Sequence, residues 1–251
     1  MKKSILLTGA LGGIGIELIY GLSNQGWQVI ATDHPEKEIK LSLRENKYSW
    51  IPQDLNLLIG NKSAQNDFKK KVINCSKDKQ ISVIIHNAAT QIVSKFNTLS
   101  DDDWQKTFNI NFFAPVVINR LFLENLKKNK GSIVHISSIH STLTKSNFSA
   151  YAASKAALSC LTRSMAIEMG NKIRVNAIEP AAIRTKMLEE SFSYSNNKIE
   201  ELSKYHPSGR IGNPDDVLRA IIYLINPENT FLNGSILTLG GGIHGKLHDP
   251  F

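Results

Sequence analysis

The sequence has few cysteines and no long apolar segment, and these two shortages exclude several classes of protein. Cys75 and Cys160 are the only cysteines among 251 residues, so neither a disulfide framework nor a cysteine-based metal site is predicted. The N-terminal region lacks an apolar run as long as a signal peptide or a membrane span. We therefore expect a cytoplasmic protein in a reducing setting, without a bound metal.

Concentrated positive charge is also missing, although the chain is basic. The formal net charge is +8, and the lysines are scattered along the chain. The longest basic cluster, Lys69-Lys70-Lys71, has no interleaved aromatic side chains on which bases could stack. A solvated, lysine-rich surface explains this charge. We expect neither a nucleic-acid partner nor a membrane partner.

The sequence does contain a regular alternation of short apolar runs with helical segments. Hydrophobic residues form 41% of the chain, and no internal repeat or linker divides it, so we expect residues 1–251 to form one domain. Seven strand candidates predict an α/β fold with a doubly wound, Rossmann-like parallel sheet and a ligand crevice at the carboxyl ends of its strands. These candidates are Ser4–Thr8, Trp27–Thr32, Tyr48–Gln53, Ile81–Ile85, Gly131–Ser138, Ile173–Ile178 and Ser235–Leu239.

A glycine-rich turn follows the first strand candidate. Residues 9–15 read Gly-Ala-Leu-Gly-Gly-Ile-Gly, and such a turn brings phosphates to free N–H groups at the positive end of a helix dipole. Its spacing differs from the G-x-G-x-x-G of other dinucleotide folds, and alone it is a weak signal. Asp33 strengthens it, because an acidic residue at the end of the second strand can bind the adenosine ribose hydroxyls. Without the turn, Asp33 would be interpreted as a cap.

Polar or small residues also follow the third and fourth strand candidates. Asp54, followed by Leu55, would accept a hydrogen bond from an adenine amino group. The small residues after Asn87 would let a cofactor lie against the backbone. His86 is interpreted as a hydrogen-bonded histidine inside the fold, because nothing near it has the spacing of metal ligands.

The strongest chemical signal is the pair formed by Tyr151 and Lys155. A helix places side chains four residues apart on one face, and a lysine charge beside a phenol lowers the pKa of the tyrosine toward the range of acid/base catalysis. Ser138 would come off the end of the preceding strand. The pair alone is weak, because exposed helices carry such pairs by chance. Pro115 should disturb a helix over 101–128 near Asn111, because proline removes a backbone donor.

Together these residues resemble the short-chain dehydrogenase/reductase family, from Thr8 to about Gly242. The resemblance implies a nicotinamide cofactor, and it implies a catalytic tetrad of Asn111, Ser138, Tyr151 and Lys155. It is carried by Thr8-Gly9, Gly13-Ile14-Gly15, Asp54, Asn87-Ala88, Asn111, Ser138, Tyr151, Lys155, Pro180, Thr185, Gly209-Arg210, Gly212 and Pro214-Asp215-Asp216-Val217. Three segments depart from the family pattern, namely Asn87-Ala88-Ala89, Glu179-Pro180-Ala181 and Gly240-Gly241-Gly242, and Glu179 leaves the charge near the nicotinamide pocket in question.

The resemblance also implies which residues contact the cofactor and the substrate. The cofactor contacts are Gly9, Leu11, Gly13, Ile14, Gly15, Asp33, Asp54, Leu55, Asn87, Ala88, Tyr151, Lys155, Pro180, Ile183 and Thr185. The substrate contacts are Ser138, His140, Tyr151 and Ala181. We expect NAD(H) over NADP(H), because Asp33 would repel a 2′-phosphate and Leu11-Gly12 lacks the basic residue of phosphate-preferring relatives. Lys37 is the residue that argues against this preference.

The resemblance implies an oxidoreductase acting on a small polar carbonyl or alcohol. A polar stretch, 187–206, is predicted to close over the cleft as a lid, which favours a hydroxylated substrate such as a sugar or polyol derivative. A 3-oxoacyl carrier-protein reductase is the alternative, although residues 170–172 lack the arginine that such enzymes present to an acidic carrier. A non-catalytic, dinucleotide-sensing relative is a further alternative, and a broken tetrad would be its sign.

The family resemblance implies a homotetramer, or a homodimer, as the assembly. Helices over 101–128 and 150–169 would pair across a two-fold axis and bury apolar residues there. The candidates are Phe112, Phe113, Leu158 and Leu161, which would otherwise face only the sheet. The C-terminal run His244–Phe251 would cover a substrate site or form a frayed tail.

Overall fold

A parallel sheet of seven strands forms the centre of the computed structural model, which describes residues 3–37, 48–191 and 195–247. The strands are β1 (Ser4–Thr8), β2 (Gln28–Asp33), β3 (Tyr48–Pro52), β4 (Val83–His86), β5 (Ser132–Ile136), β6 (Arg174–Pro180) and β7 (Ile236–Leu239). Their order across the sheet is β3-β2-β1-β4-β5-β6-β7, and the six pairings are parallel. The chain reverses its direction of winding between β1 and β4, the place where such sheets bind ligands.

Eight α-helices connect the described strands and cover both faces of the sheet. They are α1 (Gly13–Asn24), α2 (Lys62–Cys75), α3 (Asp101–Phe108), α4 (Ala114–Lys128), α5 (Ser149–Met169), α6 (Lys186–Ser191), α7 (Asn196–Tyr205) and α8 (Pro214–Ile225). On one face, α1 and α8 pack their apolar residues against those of the central strands. On the other face, α2, α4 and α5 form a second core. The predicted doubly wound α/β fold is therefore confirmed.

The predicted strands are all present, with ends that differ by at most two residues. The largest extension is in β6, which continues to Pro180 because Glu179 and Pro180 pair with Thr238 and Leu239 of β7. β5 ends earlier than predicted, at Ile136. Ser138 then begins a short 3₁₀ turn, and its hydroxyl accepts a hydrogen bond from the backbone of His140.

The predicted helix over 101–128 is interrupted, as the proline indicated. A π-helical turn, Asn109–Phe113, separates α3 from α4, and Pro115 lies in the first turn of α4. Pro115 stands four residues after Asn111 and has no N–H, so the carbonyl of Asn111 lacks its α-helical donor. Ser100 caps α3 in a reciprocal capping box with Asp103.

The predicted lid corresponds to α6 and α7, together with the segment between them. Residues 192–194 of that segment, which include the aromatic residues Phe192 and Tyr194 of the predicted lid, lie outside the described residues. The last residues of the C-terminal run, 248–251, also lie outside them, whereas His244 falls in a 3₁₀ turn after β7. No helix in the described ranges is long and apolar enough to cross a membrane.

One residue predicted for a subunit contact faces the interior of its own chain. Leu158 is 1% exposed, because the face of α5 that carries it packs inside the fold, so this prediction is wrong. Phe113 is 44% exposed, and Phe112 and Leu161 are partly buried. Phe113 ends a row of neighbouring aromatic rings that continues through Phe112, Phe108, Trp104 and Phe96.

Candidate active site

A large cleft lies along the carboxyl ends of the strands. Its volume is about 1480 Å³, which exceeds the roughly 300–1,000 Å³ of ordinary small-molecule sites and leaves room for a dinucleotide with a second ligand. Every predicted site residue lines this cleft except Gly15 and Asn111. The fold therefore brings together, in one cleft, predicted site residues that are distant along the chain.

The glycine turn forms one wall of the cleft, and neighbouring residues hold it in place. A Cβ atom on Gly9, whose φ is +63°, would lie 2.5 Å from the Cα of Ala88, so only glycine fits there. The side-chain amide of Asn87 donates a hydrogen bond of 2.7 Å to the carbonyl of Gly9. A Cβ atom on Gly13 would lie 3.1 Å from Thr185. This backbone is open to a diphosphate, which fits the predicted dinucleotide.

Gly15 supports the turn from behind and does not line the cleft. A Cβ atom there would clash with the carbonyl of Gly9. Glycine at this position lets α1 begin directly against the end of β1. Its predicted contact with the cofactor is thereby replaced by a packing role.

The Asp33 carboxylate organises the adenosine end of the cleft. One oxygen accepts a hydrogen bond of 2.9 Å from the backbone N–H of Leu11. The other accepts one of 2.8 Å from the N–H of His34 and lies 2.9 Å from Nζ of Lys37. Asp33 is buried yet reaches the cleft. It therefore fixes the glycine turn, and its predicted contact with the ribose stays a prediction.

Asp54 and Leu55 close the same end of the cleft. One oxygen of Asp54 accepts a hydrogen bond of 2.9 Å from the backbone of Asn56. The other lies 3.8 Å from Nε2 of His34. Leu55 is buried at the start of a short 3₁₀ turn. His34 also lines the cleft, and the sequence offered no sign of it beyond its place next to Asp33.

Tyr151 and Lys155 lie on one face of α5, as their spacing predicts. Both are buried. Nζ of Lys155 donates a hydrogen bond of 2.7 Å to the carbonyl of Ile136 at the end of β5 and lies 5.7 Å from the centre of the Tyr151 ring. The strand end and the helix thus place phenol and amine together at the bottom of the cleft.

The pKa values of this pair differ from the sequence prediction. Burial raises the pKa of Tyr151 above its usual 10.0, and a hydrogen bond with Ser138 offsets part of that rise. Burial also lowers the pKa of Lys155 to about 7. The predicted lowering of the tyrosine pKa by the lysine is therefore wrong for this structure, because both groups are desolvated and the amine is directed to the Ile136 carbonyl. At neutral pH Tyr151 is a phenol, a proton donor.

Asn111 stands behind the pair, with its side chain fully engaged. The amide donates hydrogen bonds of 2.9 Å to the carbonyl of Thr90 and to the hydroxyl of Ser154. The amide oxygen accepts one of 2.8 Å from the N–H of Thr90. Asn111 does not line the cleft. Ser154, three residues after Tyr151, was missed by the sequence analysis.

His140 and Phe148 line the cleft beside Tyr151. The imidazole stacks on the Phe148 ring, with centres 4.5 Å apart, and meets the Tyr151 ring edge-on at 5.7 Å. Its Nδ1 lies 2.9 Å from the hydroxyl of Thr144. Burial lowers the pKa of His140 to about 4, and the charge of Lys145 adds to this. His140 is thus neutral at physiological pH, and Phe148 was missed by the sequence analysis.

Glu179, whose influence on the nicotinamide pocket was open, points elsewhere. It is buried and does not line the cleft. Its carboxylate accepts hydrogen bonds from the hydroxyls of Ser141 and Ser159, at 2.5 and 2.7 Å. Ser159 is also 2.8 Å from the hydroxyl of Ser137, which donates to the backbone of Lys155. Glu179 therefore forms a hydrogen-bonded link between β6 and α5.

His86 lies inside the fold, as predicted, but only one ring nitrogen is paired. Its Nε2 lies 2.8 Å from the side-chain oxygen of Asn119, and its Nδ1 has no hydrogen-bond partner. Burial lowers its pKa to about 4, against a raising effect of the Asn119 hydrogen bond. Within the described part of the chain, no group of three potential ligand side chains could hold a metal ion.

Comparison with known proteins identifies the family. A family profile described as enoyl-(acyl carrier protein) reductase matches residues 9–244. The L-xylulose reductase of Caenorhabditis elegans is 32% identical over 246 residues, covering 96% of this chain and 95% of the relative. The chain belongs to the short-chain dehydrogenase/reductase family. Its predicted membership is thereby confirmed.

Two further members of the family bear on activity. The 3-oxoacyl acyl-carrier-protein reductase of Rickettsia typhi is 30% identical over 243 residues, covering 96% of each chain. The structure of a 4-hydroxyisoleucine dehydrogenase complexed with NADH is 28% identical, with a TM-score of 0.87, and covers 98% of this chain and 100% of that chain. This short-chain dehydrogenase/reductase is accordingly an NAD(P)-dependent oxidoreductase.

Proposed function

We propose that this protein transfers hydride between NAD(H) and a small, polar, hydroxylated carbonyl or alcohol, with sugar or polyol derivatives as the substrate class. The arrangement that carries the proposal is the buried Tyr151 and Lys155 pair beside Ser138, in one cleft with the glycine turn. Tyr151 and Asp33 both line this cleft, and its volume leaves room for a dinucleotide and a substrate together.

The proposed mechanism follows from the state of each side chain. A bound nicotinamide supplies or accepts the hydride. In the reducing direction Tyr151, a phenol at neutral pH, gives its proton to the substrate oxygen as negative charge develops there. The hydroxyl of Ser138 donates a hydrogen bond to the same oxygen. Oxidation of an alcohol runs through the same groups in reverse.

Lys155 and Asn111 complete the proposed tetrad. The amine of Lys155 is placed to bind ribose hydroxyls at the cleft floor. Asn111 would hold a water that carries protons from the lysine toward solvent, through the backbone carbonyl that lacks its α-helical donor because of Pro115. The engaged amide of Asn111 keeps the π-helical turn beside Thr90.

The preference for NAD(H) is proposed from the charge of Asp33. A 2′-phosphate would lie against this carboxylate and be repelled by it. The glycine turn supplies no positive side chain to offset the repulsion, because Leu11 and Gly12 occupy that position. Lys37 is already paired with Asp33, which reduces its attraction for a phosphate.

The choice of a polar substrate over an acyl thioester rests on two regions. Residues 170–172 read Gly-Asn-Lys and offer no arginine to an acidic carrier protein. The substrate end of the cleft carries His140 and the hydroxyl of Thr144 beside Phe148. An L-xylulose reductase among the relatives agrees with this class. The acyl-carrier alternative has a relative too, so substrate tests must include it.

Assembly as a homotetramer, or a homodimer, is proposed from the exposed aromatic row. Phe96 and Phe113, at its two ends, are 72% and 44% exposed, and such a patch commonly marks a protein contact. A second copy of this chain is the expected partner, by closed symmetry. A cytoplasmic location is proposed because Cys75 and Cys160 are both free thiols.

A substrate screen tests the proposed function. Purified protein would be assayed with sugars, polyols, hydroxy acids, simple alcohols and acyl thioesters, each with NAD(H) and NADP(H), by nicotinamide absorbance. We expect turnover of hydroxylated compounds with NAD(H). Turnover of acyl thioesters alone would contradict the substrate class, and no turnover with an intact dinucleotide affinity would favour the non-catalytic alternative.

A further inference from the structure

A histidine at the end of the lid has one ring nitrogen without a partner. His206 follows α7, is 3% exposed and lines the cleft. Its Nδ1 lies 3.0 Å from the carbonyl oxygen of Leu202, whereas its Nε2 has no hydrogen-bond partner. A buried polar atom that is left unpaired destabilises the folded chain. A buried, unpaired nitrogen on a residue that lines a ligand cleft therefore points to a ligand group.

The Leu202 carbonyl determines which kind of group this nitrogen can bind. A carbonyl oxygen only accepts hydrogen bonds, so in the neutral imidazole the proton is on Nδ1 of His206. Nε2 is left with a lone pair and acts as an acceptor. A hydroxyl can donate to it. An ionised carboxylate or phosphate offers acceptors only and cannot pair with it.

The neighbours of His206 place it at the substrate end of the cleft. The backbone N–H of Ser208, two residues after His206, donates a hydrogen bond of 2.9 Å to the carbonyl of Gly241, just past the end of β7. β7 pairs with β6 at Glu179. Glu179 accepts a hydrogen bond from Ser141, three residues beyond Ser138. Three strands separate β6, which carries Glu179, from β2, which carries Asp33. His206 is therefore remote from the adenosine end.

We propose that His206 is a specificity-determining residue whose Nε2 accepts a hydrogen bond from a substrate hydroxyl away from the reacting carbon. This inference rests on the proposed function and deepens it, because it names the group that separates a polyol from a simple alcohol. A substrate that lacks this hydroxyl leaves the nitrogen buried and unpaired. Sites built to pair with a hydroxyl discriminate strongly against analogues that lack it.

The test combines two variants with matched substrates. A polyol accepted by the wild type and each of its monodeoxy analogues would be compared by kcat/KM in the wild type, His206→Leu and His206→Gln. We expect the kcat/KM of the wild type to be at least about tenfold lower for one analogue than for the parent polyol. His206→Leu should no longer distinguish that analogue from the parent. His206→Gln should keep part of the discrimination, because its amide oxygen can accept in place of Nε2.

Two outcomes would overturn the inference in distinguishable ways. Unchanged discrimination in His206→Leu, in a protein that accepts polyols, refutes the role of His206 and leaves the proposed function intact. Turnover of acyl thioesters alone refutes the proposed substrate class and this inference with it. Thermal melting and dinucleotide affinity of each variant serve as controls for folding.

A second measurement does not depend on turnover. Nitrogen NMR of the histidine rings, with the His206 signals assigned by their loss in His206→Gln, reports which ring nitrogen carries the proton. We expect a protonated Nδ1 and a bare Nε2, and a shift of the Nε2 signal when the accepted polyol is added with cofactor. A proton on Nε2 in the free protein would overturn the acceptor assignment.

Discussion

Nζ of Lys155 lies 2.7 Å from the carbonyl oxygen of Ile136, so the amine on α5 is hydrogen-bonded to the last residue of β5. The contact joins α5, which carries Tyr151, to the strand that ends two residues before Ser138. It also holds a cation in the interior, where burial lowers the pKa of Lys155 to about 7 from 10.5. The buried amine therefore makes the free energy of unfolding depend on pH.

We predict that Lys155→Met raises stability most at low pH. The folded pKa of about 7 is below the unfolded 10.5, so the unfolded state binds more protons between these values and wild-type stability rises with pH there. The penalty for the buried cation is fully present below pH 7. Denaturant unfolding should show that the free energy of unfolding of the variant exceeds that of the wild type by about 2–5 kcal/mol at pH 6 and by less at pH 9.

Lys70→Met supplies the control for this measurement, because Lys70 is exposed on α2 and its loss removes the same charge. An advantage for Lys155→Met that stays constant between pH 6 and pH 9 would contradict the prediction. It would mean that the amine is solvated or fully compensated in the folded protein.

Tyr151→Phe should reduce turnover by about two to four powers of ten. The phenol is assigned the proton transfer, and phenylalanine keeps the ring that contacts His140 and Phe148. Dinucleotide affinity should change little. Initial rates and cofactor titrations measure both quantities, with Tyr223→Phe on the exposed face of α8 as control. A variant that retains most of its activity would remove Tyr151 from the proton-donor role.

In the cofactor-free protein, the phenol of Tyr151 should ionise above pH 10. Burial is the larger influence on its pKa and acts against ionisation. The difference between alkaline absorbance titrations of the wild type and Tyr151→Phe isolates this one phenol. A phenolate that forms well below pH 10 would show that the lysine dominates, as the sequence alone indicated.

That disagreement illustrates what the sequence could and could not predict. The seven strands, the shared face of Tyr151 and Lys155, and the break near Asn111 follow from apolar runs, helical periodicity and one proline. These depend on residues close along the chain. The pKa of Tyr151 depends on how fully distant segments bury it, which no local pattern records.

The same distinction holds for hydrogen-bond partners. Asn111 bonds to Thr90, 21 residues away, and Glu179 to Ser141, 38 residues away. Serine and threonine hydroxyls carry no pattern that singles out a long-range partner. The prediction that Leu158 lies in a subunit contact fails for a related reason. The helical period shows that a face is apolar, but it does not show whether the same chain or another chain covers that face.

Replacing Asp33 with asparagine should shift the cofactor preference toward NADP(H). Asparagine can still accept from the N–H of Leu11, which preserves the glycine turn, but it does not repel a 2′-phosphate. Lys37, 2.9 Å from the carboxylate in the wild type, would then be free to bind that phosphate. The ratio of kcat/KM for NAD(H) over NADP(H) should fall by about 10- to 100-fold. A wild type that already prefers NADP(H) would contradict the assignment.

Phe113→Glu should dissociate the assembly without unfolding the chain. Phe113 ends the aromatic row and is 44% exposed, and in an isologous contact each substitution acts twice. Burying one phenylalanine contributes roughly 1.5–3 kcal/mol, so two losses weaken association at least about 100-fold. Light scattering across a concentration series should show smaller species. Leu57→Glu, at another exposed apolar residue, should leave the mass unchanged, and a monomeric wild type at micromolar concentration would refute the assembly.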